Sequence, residues 1–217
     1  MANIHLASNP DYAGHALLAP RLAGLFSRSA AMGLLSDTDV IELTAGSVRG
    51  LLADLQHHGL ASGASIALAP LTRDAPEDWD VATGRLLESR LDQLTQVLEE
   101  SPNPATEWGV MRDTFGDEML AGLLDISASS LRRYAAGERA TPDATAARLH
   151  WLAMVVSDLA GGYNALGMRR WFERPRAQLE GLSPHATLGR GWQPDDAAAL
   201  RVRALAASLT GAQPLAV

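Results

Sequence analysis

The sequence predicts an all-α fold, and three observations carry that prediction. No run of β-branched residues alternates with polar ones over a strand's length. Apolar residues instead recur at spacings of three and four along most of the 217-residue chain. Capping residues and glycine stops bound these runs, as they bound helices. The expected architecture is an N-terminal helical domain, a helix–turn–helix unit and a small helical C-terminal domain.

The N-terminal elements follow in order. Residues about 12–34 are rich in Ala and Leu and stop near Gly33. Residues about 37–58 begin with Asp37 and Asp39 as cap and first-turn acids, and end at Gly59. Residues 61–78 combine Gly, Pro and charge, so a loop is expected, with the short SIALAPL piece pairing as an isolated strand. Asp74, Glu77, Asp78 and Asp80 make this loop acidic; a solvated turn is the first reading and a site for a cation or basic partner the second. Residues 80–100 form an amphipathic helix in which Leu87, Leu91, Leu94 and Leu98 follow an a/d-like spacing. Two readings stay open for that seam: packing on the domain's own core, or pairing with a second copy. Ser101-Pro-Asn-Pro104 breaks the helix and closes an acidic domain over residues 1–101, whose role the sequence does not assign.

Residues 105–160 are expected to hold the helix–turn–helix. Leu120, Leu123 and Leu124 give its first helix one apolar face, and Ala121 is small where two helices must cross closely. Asp125 and Ile126 make the turn. Ser127 is an N-cap, because its hydroxyl can accept an orphan backbone N–H of the second helix. Leu131 and Tyr134 lie three apart and face back onto the first helix. Ser127, Ala128, Ser129, Ser130, Arg132 and Arg133 are left for the outer face, with Arg139 just beyond it. Gly137 suits the left-handed residue that closes a helix, and Pro142 the start of the next, which runs to about residue 160. Small residues at the head of such a helix permit close approach to base edges, and arginine forks onto guanine or phosphate. The expected ligand is operator DNA; the plainer alternative is a helical hairpin with solvated arginines. Reading paired half-sites makes a homodimer the expected state.

Composition fits this division. The net charge is −7, yet it is unevenly spread: residues 1–117 carry 7 Arg against 16 acids, and residues 118–217 carry 11 Arg against 9. All 18 basic residues are Arg, which can pair bidentately. Apolar residues make up 47% of the chain, and the absence of cysteine rules out disulfides and thiolate metal sites. No stretch approaches the roughly 18 uninterrupted apolar residues of a membrane span. No basic segment followed by an apolar run opens the chain, so a cytoplasmic location without membrane partners is expected.

Enzyme signatures are missing as well. There is no H-E-x-x-H, no P-loop, no G-x-S-x-G and no G-x-G-x-x-G after a strand. His57 and His58 end a helix, where the dipole explains them and where neighbours in sequence point to different faces. His150 and His185 read as structural. The expectation is a non-enzyme with no catalytic residues, no metal and no cofactor.

Residues 163–209 carry a second pattern: a helix ending in Arg169-Arg170-Trp171-Phe172, then Pro175, Leu179, Gly181, Pro184 and Leu188, then a last helix from about 194 to 209. Trp171 amid Arg169, Arg170, Arg174 and Arg176 is the mixture of which interface hot spots are made. A core anchor surrounded by solvated arginines is the other reading. Together with the helix–turn–helix upstream, the pattern resembles the Xre/MbcA/ParS antitoxin family over roughly residues 105–210. The resemblance implies a toxin-binding domain over 161–217 that blocks a RES-type, NAD-consuming toxin, and autoregulation of the operon through the helix–turn–helix. It departs from the family in the first hundred residues, in Asp125 where this class of turn often has Gly, and in Gly189-Arg190-Gly191-Trp192. These departures keep alive a helix–turn–helix regulator with no toxin partner, and a protein-interaction module that has lost DNA binding.

Overall fold

The computed structural model describes residues 4–5, 17–36, 41–61, 63–73 and 79–209. The protein is all-α; the one strand pairing among the described residues joins β1 (Ile4–His5) in parallel to β2 (Ile41–Glu42). The chain divides into two compact units. One comprises residues 2–30 and 34–101, the other residues 1, 31–33 and 102–217.

In the first unit, α1 (Leu18–Ala31) buries Leu18, Leu22, Leu25 and Phe26. Its expected start near residue 12 lies outside the described residues. Arg21 and Arg28 tie α1 to Asp92 and Glu99 of α4 (Val81–Glu99), each at 2.8 Å. α2 (Ala45–His57) starts later than its spacing suggested. Thr44, not an aspartate, is the N-cap: its hydroxyl accepts from the Ser47 N–H at 3.1 Å, and the Ser47 hydroxyl accepts from the Thr44 N–H at 2.9 Å. Asp37 and Asp39, expected in that role, lie outside the described residues, as do Asp74, Glu77 and Asp78 of the acidic loop.

The SIALAPL piece is not a strand. It forms a short helix, α3 (Ala64–Ala67), and a 3₁₀ turn (Ala69–Thr72) opened by Pro70. Alanine favours helix, and Pro70 has no N–H to give a ladder. Asp80 caps α4 by accepting from the Thr83 N–H at 2.7 Å. Leu87, Leu91, Leu94 and Leu98 are all buried without a second copy present. Of the two readings of that seam, the structure takes the core.

The second unit runs α5 (Pro104–Phe115), α6 (Asp117–Leu124), α7 (Ala128–Ala135), α8 (Asp143–Leu159), α9 (Ala165–Glu173), α10 (Pro184–Leu188) and α11 (Ala197–Leu209). Every residue of α8 from Arg148 to Leu159 is buried, with α5, α6 and α11 laid against it. That helix explains why the expected separate domain over 161–217 is not a separate body. α8 serves as core both for the helix–turn–helix and for the helices that follow. The tail 210–217 lies outside the described residues. Among the described residues, no helix is long and apolar enough to cross a membrane.

Candidate nucleic-acid interface

α6, a short turn and α7 stand where the sequence predicts a helix–turn–helix, and the local chemistry accounts for the shape of this helix pair. Leu120, Ala121, Leu123 and Leu124 are buried. Asp125 sits in the left-handed region at φ 52°, ψ 47°, where a short polar side chain is tolerated and a β-branched one is not. The Ile126 N–H returns to the Ala121 carbonyl at 3.0 Å, which closes α6. The Ser127 hydroxyl accepts from the Ser130 N–H at 3.1 Å and caps α7. Gly137, at φ 70°, lets the chain leave α7.

Leu131 and Tyr134 turn inward, and Tyr134 stacks on Trp108 of α5 with ring centroids 6.3 Å apart. Trp108 donates from Nε1 to the Thr141 hydroxyl at 3.0 Å, which fixes the loop leaving α7. On the outer side Ser127, Ser129, Arg132, Arg133 and Arg139 are exposed, and Ala128 and Ser130 half-buried. The Arg139 guanidinium lies over the Tyr134 ring, 5.7 Å from its centroid. All seven residues expected to face DNA therefore lie along or beside one short helix, with its first turn narrow and its last turn cationic.

The field at this face is not uniformly positive. Asp117 and Glu118 open α6, and Arg112 binds Asp117 through Nε at 2.8 Å. That hydrogen bond holds the Asp117 carboxyl below its ordinary value, with a smaller Coulombic pull from Arg132. Arg132 thus sees a carboxylate of its own chain.

The residues expected to meet a protein partner fall into two groups. Arg170 and Arg174 are exposed. The other three are engaged internally: Trp171 takes its core-anchor reading, and Arg169 and Arg176 are half-buried. Trp171 is 1% exposed and meets Phe172 edge to face at 5.0 Å. Arg169 donates to the Thr114 and Asp113 carbonyls at 2.6 and 3.0 Å, closing the end of α5. Arg176 lies over the Trp171 ring at 5.5 Å. Pro184, Leu179 and Leu188 are buried too, and Gly181 adopts φ 80°. The pattern behind the resemblance is therefore one of packing and turns, not of surface contacts. A cleft of about 440 Å³, walled in part by Asp117, Glu118, Arg170 and Glu173, opens between the start of α6 and α9.

Three buried polar features carry no local sequence signal. Arg148 of α8 donates to the Leu124 carbonyl at 2.9 Å and to the Trp192 carbonyl at 2.6 Å. Trp192 donates from Nε1 to the Leu123 carbonyl at 2.8 Å and packs edge to face on Trp151 at 4.7 Å. Glu107, fully buried on α5, meets His150 Nδ1 at 2.6 Å. Only the oddity of Arg and His in an apolar helix could have pointed to the first and last.

His57, the last residue of α2, and His58, its C-cap, lie edge to face with ring centroids 5.3 Å apart. No group of three or more potential metal-ligating side chains occurs among the described residues. Comparison with family models, with curated proteins and with solved structures yields no match to this chain.

Proposed function

We propose that this chain is a DNA-binding antitoxin. In this reading, α7 enters the major groove of operator DNA as part of a homodimer, and the C-terminal helices bind and silence a RES-type, NAD-degrading enzyme encoded beside it. The protein itself performs no chemistry and needs no cofactor. One observation carries the DNA part: α7 is capped at Ser127, anchored by Leu131 and Tyr134, and turns Ser129, Arg132 and Arg133 outward. Such an arrangement suits base-edge and phosphate contact. Support for the enzyme partner comes from the resemblance across Trp171 to Leu188, with Arg170 and Arg174 as its surface residues.

A second reading, a helix–turn–helix regulator without a toxin, is favoured by one fact. Residues 34–101 belong to a compact unit of their own, and the resemblance does not reach them. Such a unit would suit a sensing or dimerising role.

The test joins two measurements on the full chain. Binding to a duplex from the DNA upstream of its own reading frame should weaken steeply with salt. Arg133→Ala should cost about 1–3 kcal/mol on that duplex and relax its sequence preference if the contact is to a base edge. Co-expression should restore growth to cells making the adjacent enzyme, and Arg170→Glu with Arg174→Glu should abolish that rescue while DNA binding persists. DNA binding without any rescue selects the second reading; absence of both overturns the proposal.

A further inference from the structure

We infer that Arg190 is a further contact for a DNA backbone phosphate, presented beside the helix–turn–helix by the loop that precedes α11. This rests on the DNA-binding reading above.

The loop is built around this one side chain. Gly189 and Gly191 flank Arg190 at φ 68° and 66°, a region costly for other residues. A Cβ at either glycine would meet nothing within 4 Å, so backbone conformation, not crowding, calls for them. The Gly191 N–H donates to Asp125 Oδ2 at 3.0 Å. Trp192 then plunges into the core, held by Leu123 and Arg148. The chain on one side of Arg190 is thus fastened to the turn between α6 and α7. Arg190 itself is 95% exposed, with its Nε 3.8 Å from Asp125 Oδ1.

That ion pair is too long and too wet to explain the arrangement, since exposed pairs contribute little. It also engages one edge of a guanidinium that carries five N–H donors. A solvent-facing guanidinium beside Asp125, two residues before the Ser127 cap, has the chemistry to grip a phosphate as α7 enters the groove. The competing explanation is that Arg190 merely neutralises Asp125 near the DNA.

The two explanations separate by substitution in the full chain. The probes are the upstream duplex and a scrambled duplex of the same composition. A phosphate contact adds about 0.9 to the salt slope, or roughly a 3-fold change in affinity between 50 and 200 mM salt. Arg190→Ala should lower the slope by about one on both duplexes alike, and Arg190→Lys should restore it. Asp125→Asn keeps an acceptor for the Gly191 N–H and suits the left-handed turn, so it should leave the slope intact. Arg190→Ala combined with Asp125→Asn should still lack the lost slope. If the double variant regains full affinity and slope, Arg190 only neutralises Asp125 and the inference fails. If Arg190→Ala changes nothing while Arg133→Ala weakens binding, the inference fails and the DNA-binding reading stands. If the wild-type chain shows no salt-dependent binding to either duplex, both fall.

Discussion

Arg148 reaches from the buried helix α8 to the Leu124 carbonyl, 2.9 Å away, and so closes α6 with a guanidinium rather than with water. Its Nε holds the Trp192 carbonyl at the same time. Arg148→Met would fill much of the space and leave both carbonyls without this donor. Each unsatisfied buried acceptor costs about 1–3 kcal/mol, so a loss of roughly 2–6 kcal/mol is expected in denaturant unfolding. If α7 reads DNA as proposed, affinity should fall with it, because the turn before α7 loses its support. Trp192→Phe keeps an aromatic ring against Trp151 but removes the bond to Leu123 and part of a buried ring, so about 2–4 kcal/mol is expected there.

Glu107 and His150 form a buried acid–imidazole pair, with Glu107 Oε1 also accepting from the Asn103 N–H at 3.3 Å. Removing one partner strands the other. His150→Ala should therefore cost about 3–5 kcal/mol by chemical denaturation. Replacing both, with Glu107→Met and His150→Leu together, should recover most of the loss, because apolar side chains need no partner. A double variant as unstable as His150→Ala would mean that the pair is irreplaceable for a reason other than desolvation.

Leu91 is 1% exposed in the first unit. Leu91→Ala should cost about 2–5 kcal/mol as a cavity opens. Leu86, five positions earlier on α4 and 55% exposed, should tolerate alanine within about 0.5 kcal/mol. Leu91→Glu should unfold the unit, seen as lost helical circular dichroism. A folded, newly monomeric Leu91→Glu protein would instead return this seam to the dimer reading.

What the sequence revealed was local. The Ser127 cap, the Gly137 exit and the inward pair Leu131 and Tyr134 are decided within one or two helical turns, and each stands in the structure as the spacing indicated. Misreadings came where two local signals competed. Asp37 and Asp39 resembled caps, but Thr44 and Ser47 satisfy each other's backbone N–H groups and set the start of α2. SIALAPL had apolar residues in a strand-length run, yet Ala64, Ala67 and Pro70 favour turns of helix. For Trp171 the sequence left hot spot and core anchor both open, because aromatic–arginine clusters occur at interfaces and in cores, and only three-dimensional packing tells them apart. The Arg148, Trp192 and Glu107 contacts link residues 24 to 69 positions apart, a range at which periodicity carries no information.

α8 has no side facing water over Arg148–Leu159, and the Trp192 segment is stitched to the end of α6. A deletion after residue 160 would strip α11 from α8 and take away the indole that binds the Leu123 carbonyl. α6 and α7 could not survive such a cut as an independent module, and exchanging the C-terminal helices would disturb the turn before α7. A change in those helices is felt at the start of α7, so the two behave as one mechanical unit.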